Sequence, residues 1–177
     1  MNIEKVTFGA GCFWCVEEIF SSLNGVTKVV PGYCGGNIDK PTYEQVYTDS
    51  TGHAEVCQIS YDPAIISFPK LLEVFWKIHN PTTPDRQGDD IGTRYRSVIF
   101  YHSEEQKQIA TSIKTKLNNE KIWENPVITE IVPLKEFYPA EDYHLNYYKN
   151  NPQNKYCSLV ITPKVEKFKK IFHSYIK

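Results

Sequence analysis

Two hydrophobic periods take turns along the chain, and their order predicts most of its elements. Val6–Phe8 reads as the end of a strand, and Val16, Ile19, Phe20 and Leu23 then fall at helical spacing, predicting a helix near Cys12–Leu23. A strand is expected near Lys28–Tyr33, followed by a loop over Cys34–Thr42 with Gly35-Gly36 and Pro41 as breakers. Tyr43–Tyr47 suits one or two helical turns, and Val56–Tyr61 alternates as a strand does. Phe68–His79 is amphipathic, with Phe68, Leu71, Leu72, Phe75 and Trp76 on one face. Ser97–Tyr101 reads as a strand, and Ser103-Glu104-Glu105-Gln106 as a capping box opening a helix to about Asn118. A strand over Val127–Val132, a helix over Glu141–Tyr148 and a C-terminal helix marked by Val165, Phe168, Phe172 and Ile176 complete the pattern. Without the short pieces the order is β-α-β-β-α-β, the split βαβ pattern. The expected fold is α+β: a ferredoxin-like two-layer sandwich, a mixed sheet with helices on one face, plus added loops and the C-terminal helix.

Composition narrows the class. A chain of 177 residues with 41% hydrophobic positions can bury a real core, so one domain over 1–177 is expected. A net charge of −1 gives no electrostatic case for nucleic acid or an anionic membrane. No apolar run is long enough to span a bilayer. Met1-Asn2-Ile3-Glu4-Lys5 lacks an apolar secretory core, so a cytoplasmic protein is expected. The five cysteines are odd in number and not spaced as a disulfide framework, so they read as thiols, some of them catalytic.

Gly9-Ala10-Gly11-Cys12-Phe13-Trp14-Cys15 places a cysteine after a glycine turn at the start of a helix. The helix N-terminus favours a thiolate there. Cys12 and Cys15 lie at i and i+3 on one helix face and can close a disulfide with little backbone movement. The motif is not a dinucleotide fingerprint, because position 14 is Trp14 where a third glycine is needed. Zinc is disfavoured, since only one cysteine pair exists and Cys34, Cys57 and Cys157 are solitary. Thr51–Val56 places His53 and Glu55 at the start of a strand. A partly buried Glu55 would hold a proton at neutral pH, although an exposed strand-edge carboxylate is the plainer reading of sequence alone. Asn80–Tyr95 is too long and polar for a simple connector, and its Asp89-Asp90 pair suits the capping or orienting of side chains better than a metal.

Gly-Cys-Phe-Trp-Cys, Thr51–Val56, Phe75–Thr83, Gln87–Ser97, Tyr138–His144 and Tyr156-Cys157 occur in the order of the peptide methionine sulfoxide reductase A family, which the chain resembles over roughly Lys5 to Lys164. The resemblance implies reduction of the S epimer of methionine sulfoxide, protein-bound or free, an oxidative lesion with a separate reductase for each epimer. It implies Cys12 as nucleophile, Glu55 as acid, Tyr43 and Tyr95 as hydrogen-bond donors to the oxide, Phe13 and Trp14 as the methyl pocket, and Asp90 on the substrate's polar side. The sulfenic acid left on Cys12 is resolved by Cys15, with Cys157 as a possible second resolving or recycling cysteine in a mobile tail. No cofactor or metal is implied, only an external thiol reductant, thioredoxin being the family's expectation, and a monomer. Cys34 and Cys57 depart from the family pattern and read as small buried hydrophobes. His53 and His144 match family positions and read as structural. Two other functions use the same residues: a thioredoxin-like dithiol–disulfide oxidoreductase, which needs neither Glu55 nor the tyrosines, and a non-enzymatic binding module with Phe13 and Trp14 as its patch.

Overall fold

The computed structural model describes residues 2–177. Strand β1 (Glu4–Ala10) turns at Gly11 into helix α1 (Phe13–Ser21), and β2 (Val26–Cys34) follows. Helix α2 (Tyr43–Tyr47) starts from a full capping box in which Thr42 and Gln45 bond each other's backbone. After β3 (Ala54–Tyr61), helix α3 (Phe68–Lys77) is capped by the Ser67 hydroxyl, which accepts from the Lys70 N–H at 3.2 Å. The long polar loop is ordered into a two-strand ribbon, β4 (Arg86–Gln87) and β5 (Asp90–Ile91), and a 3-10 turn at Thr93–Tyr95. Then come β6 (Ser97–Tyr101), α4 (Glu104–Asn119), β7 (Glu130–Pro133), β8 (Phe137–Pro139), α5 (Tyr147–Asn150) and α6 (Thr162–Ile171).

The sheet runs β7-β6-β1-β3-β2-β8. β1 is antiparallel to β3 and β6, β2 is antiparallel to β3 and β8, and β6 is parallel to β7, so the fold is α+β with a mixed sheet. Period-two alternation sends Val6, Phe8, Cys57, Ile59 and Ile99 to one face, against Ile19 and Phe20 of α1, Leu71, Leu72 and Phe75 of α3, Ala110 of α4 and Phe168 of α6. Each large apolar side chain fully buried there contributes about 1.5–3 kcal/mol. The other face carries a small cluster of Cys34, Ala54, Val56, Val98 and Phe100 under Val132, Leu134 and Phe137. No helix among the described residues is long and apolar enough to cross a membrane.

Four local expectations change. Glu141–Tyr148 is not one helix: a 3-10 turn at Asp142–His144 ends where Asn146 enters the left-handed region at φ 55°, and only then does α5 begin. A tertiary bond takes over there, the Asn146 N–H donating to the Glu17 carboxylate at 2.9 Å. The strand expected from Val127 starts at Glu130, because the Val127 N–H donates to Asn118 Oδ1 at 2.7 Å rather than to a neighbouring strand. The Ser103 cap forms, but Gln106 accepts from the His102 N–H at 2.8 Å, one residue upstream of a capping box. The C-terminal helix is preceded by a π-helical turn at Cys157–Ile161 and ends at Ile171. Beyond it, Ile176 pairs with Leu23.

Candidate active site

The site begins at Gly11. Its φ of +89° is left-handed, and a Cβ there would stand 2.9 Å from Gln87 Cγ, so only glycine makes this turn without displacing the loop. Gln87 clamps that loop by exchanging two hydrogen bonds with the Asn80 backbone, at 2.8 and 2.9 Å. The turn sets Cys12 at the N-cap of α1, buried. A thiolate is not the resting form. Burial pushes the Cys12 thiol well above its ordinary range, the Glu55 charge adds to this, and the Trp14 backbone N–H only partly opposes them. The correction has a simple cause: a helix terminus contributes about 0.3–1 kcal/mol, whereas full burial shifts a group by up to several pH units.

Glu55 sits in β3 opposite Tyr33 of β2, on the helix-covered face. It is buried rather than an exposed strand-edge carboxylate, and its Oε1 accepts from the Phe13 N–H at 3.2 Å. Burial pushes it up to about 8, against the Phe13 N–H and the nearby Arg94 cation. A carboxyl group with a proton at neutrality therefore lies behind the first turn of α1. Arg94 is held by the Asp49 carboxylate and sandwiched between the Tyr47 and Tyr95 rings, each 4.3 Å from its guanidinium carbon.

Tyr43 and Tyr95 both lie within electrostatic reach of Glu55 and Cys12, and burial raises both hydroxyls, so they are proton donors at neutral pH. The Tyr43 N–H donates to Glu141 Oε2 at 2.8 Å, while Glu141 Oε1 accepts from the Tyr33 hydroxyl at 2.9 Å. Asp90 accepts from the Tyr156 hydroxyl, which also lies within electrostatic reach of Cys12. In the sequence Tyr156 stands out only as Cys157's neighbour. Nothing in its spacing marks it for the site, because the chain returns there from far away.

Phe13 is buried, 5.8 Å from the Tyr33 ring and 6.5 Å from the Tyr43 ring. Trp14 is half-buried and stacks on Tyr147 at 3.8 Å and 11°. Its indole N–H donates to His144 Nδ1 at 3.0 Å. His53 lies elsewhere and shapes a loop: its Nδ1 accepts from the Gly36 N–H at 3.0 Å and its Nε2 bonds the Ile38 carbonyl at 2.7 Å.

All five cysteines are free and buried. Burial pushes Cys15 up to about 11, with Lys164 of α6 opposing. Cys157 is 0% exposed, in the π-helical turn and part of the main core, so it does not hang in a mobile tail. Cys34 donates to the Glu136 carbonyl at 3.1 Å and Cys57 to the Phe13 carbonyl at 3.4 Å, so each has a hydrogen-bond partner besides its packing.

The chain is similar to known proteins in sequence and in fold. The family model described as peptide methionine sulfoxide reductase matches residues 4–175. A peptide methionine sulfoxide reductase MsrA of Sulfolobus acidocaldarius is 54% identical over 170 residues, covering 96% of each chain. Among solved structures, reduced Mxr1 from Saccharomyces cerevisiae aligns with a TM-score of 0.82 at 36% identity, over 88% of this chain and 90% of that one. Mxr1 in complex with Trx2 aligns with a TM-score of 0.59 at 29% identity, over 81% and 85%. The chain belongs to the peptide methionine sulfoxide reductase family.

Proposed function

We propose that the chain reduces the S epimer of methionine sulfoxide, protein-bound or free, to methionine, with electrons supplied by thiols. The observation that carries the mechanism is the buried Glu55 carboxyl, bonded to the Phe13 N–H at 3.2 Å at the start of α1 beside the buried Cys12, where burial favours its protonated form. The Cys12 sulfur attacks the sulfoxide sulfur while Glu55 protonates the oxide, and Tyr43 and Tyr95 hydrogen-bond the charge developing there. The Cys12 proton replaces the one Glu55 gave up. The protonated oxygen then passes from the substrate sulfur to the Cys12 sulfur as the sulfur–sulfur bond made by the attack breaks, so methionine leaves reduced by two electrons and Cys12, oxidised by two, becomes a sulfenic acid. Cys15 condenses with it, forming a Cys12–Cys15 disulfide and releasing water. Exchange with Cys157 is the second step, and because Cys157 is buried it requires the π-helical turn to open. Phe13 and Trp14 take the methyl group, an apolar and polarizable load suited to aromatic faces. Asp90, with Tyr156, faces the substrate's polar side.

The reaction balances on cysteine sulfur and an external reductant, with no resident cofactor or metal. The complex of the yeast relative with Trx2 supports a thioredoxin as that reductant. The four strands β6-β1-β3-β2, antiparallel throughout, support a ferredoxin-like core extended by β7 and β8. The family match over 4–175 supports one reductase domain. A cytoplasmic monomer acting in repair of oxidised proteins completes the reading. A plain disulfide oxidoreductase would leave the Glu55 arrangement without a role.

The test is turnover of separated S and R epimers by wild type and Cys12→Ser, with dithiothreitol as reductant. Activity on the S epimer alone, lost in the variant, is expected. Activity on neither epimer would sink the reading.

A further inference from the structure

A cavity of about 420 Å³ opens between the end of α3, the chain at 122–123 and α6. None of Cys12, Glu55, Tyr43, Tyr95 or Asp90 lines it. Its volume falls in the range of about 300–1,000 Å³ usual for small-molecule sites. The walls are aromatic, formed by Trp76, Trp123, Phe168 and Phe172. Three cations rim it: Lys77 at the end of α3, and Lys164 and Lys167 three residues apart on α6, where that spacing makes them neighbours.

No carboxylate lines this cavity. Among the described residues none of the three lysines forms an ion pair. An adjoining hollow of about 320 Å³ does contain Glu73 and Glu120, but Lys70 and Lys116 take them. His79 in the wall adds no charge. Its Nδ1 bonds the Phe75 carbonyl at 2.6 Å and its Nε2 the Ser97 hydroxyl at 2.8 Å. Burial pushes it down to about 4, the Phe75 carbonyl opposing and the Lys164 charge adding to the shift. The Lys164 cation therefore acts into the cavity wall. Converging cations with no anion repel one another, and a bound anion relieves them.

The three tryptophans differ in what they do for the fold. Trp14 stacks on Tyr147 and donates its N–H to His144. Trp76 donates to the Thr129 hydroxyl at 3.0 Å. Trp123, half-buried on the loop between α4 and β7, has neither a stacked ring nor an acceptor for its N–H among the described residues. It lines both the cavity and the adjoining hollow. A flat ring stacks well on such an indole.

We propose that this cavity binds a small organic carboxylate with a flat apolar body, its charge held by Lys164 and Lys167 and its ring laid against Trp123. Lysine ammonium groups hold such a carboxylate as point charges. The probe is 2-naphthylacetate, compared with 2-naphthylacetamide, which keeps the rings and loses the charge. Each is titrated into the full chain by calorimetry. Nitrogen-15 NMR follows the Trp123 indole N–H, assigned by its loss in Trp123→Phe. The acid should bind with a Kd at or below about 1 mM, the value that ordinary ligand efficiency gives a molecule of this size. It should also move the Trp123 resonance. The amide should bind about tenfold more weakly, since it lacks the charge-assisted contacts. Lys164→Gln combined with Lys167→Gln should bring the acid down to the level of the amide, and Trp123→Ala should weaken both about tenfold. Urea unfolding checks that the variants fold.

No saturable binding of the acid at ten times that concentration would overturn the proposal. Equal binding of acid and amide would do so too, as would an acid affinity untouched by the paired lysine changes or by Trp123→Ala. A probe that moves the Trp14 resonance and leaves Trp123 unmoved sits beside Cys12 instead, which also overturns it. Turnover of the S epimer uses other residues, so none of these outcomes bears on the reductase reading.

Discussion

Replacing Glu55 by glutamine tests the acid directly. Glutamine keeps a carbonyl oxygen for the Phe13 N–H, bonded at 3.2 Å in the native protein, so the start of α1 is preserved. It removes the proton that the oxide needs, a loss of about 10²–10⁴-fold for general acid catalysis. The pH dependence makes the test sharper. With Glu55 titrating at about 8, roughly nine-tenths of it is protonated at pH 7 and roughly one-tenth at pH 9. Cys12 titrates higher still and keeps its proton across this range. In wild type both protons take part, so the rate should stay level to about pH 8 and fall about tenfold per unit above it. In Glu55→Gln no carboxyl titrates, so the rate starts far lower and does not fall. The ratio of wild type to variant should therefore shrink about tenfold per unit above pH 8. The assay is single-turnover reduction of S-methionine sulfoxide from pH 6.5 to 9.5, with thiol loss as readout, which separates chemistry from recycling. A ratio independent of pH, or a variant retaining more than a tenth of the activity at pH 7, would refute the argument. Misfolding is controlled by stability. A carboxyl whose folded pKa is raised binds a proton that the unfolded chain lacks between about pH 4.3 and 8, so wild type loses stability as pH rises through that window. Glu55→Gln has no such loss and should melt at or above the wild-type temperature at pH 7.

Three further outcomes are expected. Cys15→Ser should lose the first intramolecular disulfide and accumulate a Cys12 sulfenic acid, trapped by dimedone and seen by mass spectrometry; a disulfide forming normally through Cys157 would reverse the proposed order. Arg94→Met removes a cation that favours the Glu55 carboxylate, so the pH above which the single-turnover rate falls should move upward from about 8. A downward move would contradict the assigned cause. Gly11→Ala should lose about 1–3 kcal/mol in urea unfolding, because alanine is strained at φ +89° and its Cβ meets Gln87.

Much of the framework could be read from periodicity because its causes are local. Ser97–Tyr101 was predicted as the strand it is, and α1 and α3 fall within two residues of the expected ends, since their apolar stripes meet the sheet directly. The failures share one cause, a tertiary partner replacing a local one. Glu17 breaks the helix at Asn146, Asn118 takes the N–H of Val127, and β8 is a three-residue strand whose only signal is its pairing with β2. The site divides in the same way. Motif residues such as Cys12 and Glu55 stood out by their neighbours in sequence. Tyr156, Arg94 and Glu141 are made important by where the chain returns, which spacing does not encode. His144 reads as structural from sequence alone, because a histidine there does not reveal which nitrogen is bonded.

The raised Cys12 pKa corrects the helix-terminus argument, and it also suits the reaction better than a resting thiolate would. A thiol and a sulfoxide give a sulfenic acid and a thioether with no net gain or loss of protons. The proton that leaves Cys12 is the one that must finally be matched on the oxygen. A site that rests with both Cys12 and Glu55 protonated holds this proton already. It passes from sulfur to carboxyl as the carboxyl's own proton passes to the oxide. A thiolate at rest would leave the site one proton short, to be made good from water in a pocket where Cys12 and Glu55 are both buried. The same burial keeps the thiol poorly nucleophilic toward other electrophiles until substrate enters. Burial raises both groups and the Glu55 charge raises Cys12 further, so the two protons stay together until a sulfoxide oxygen takes one of them.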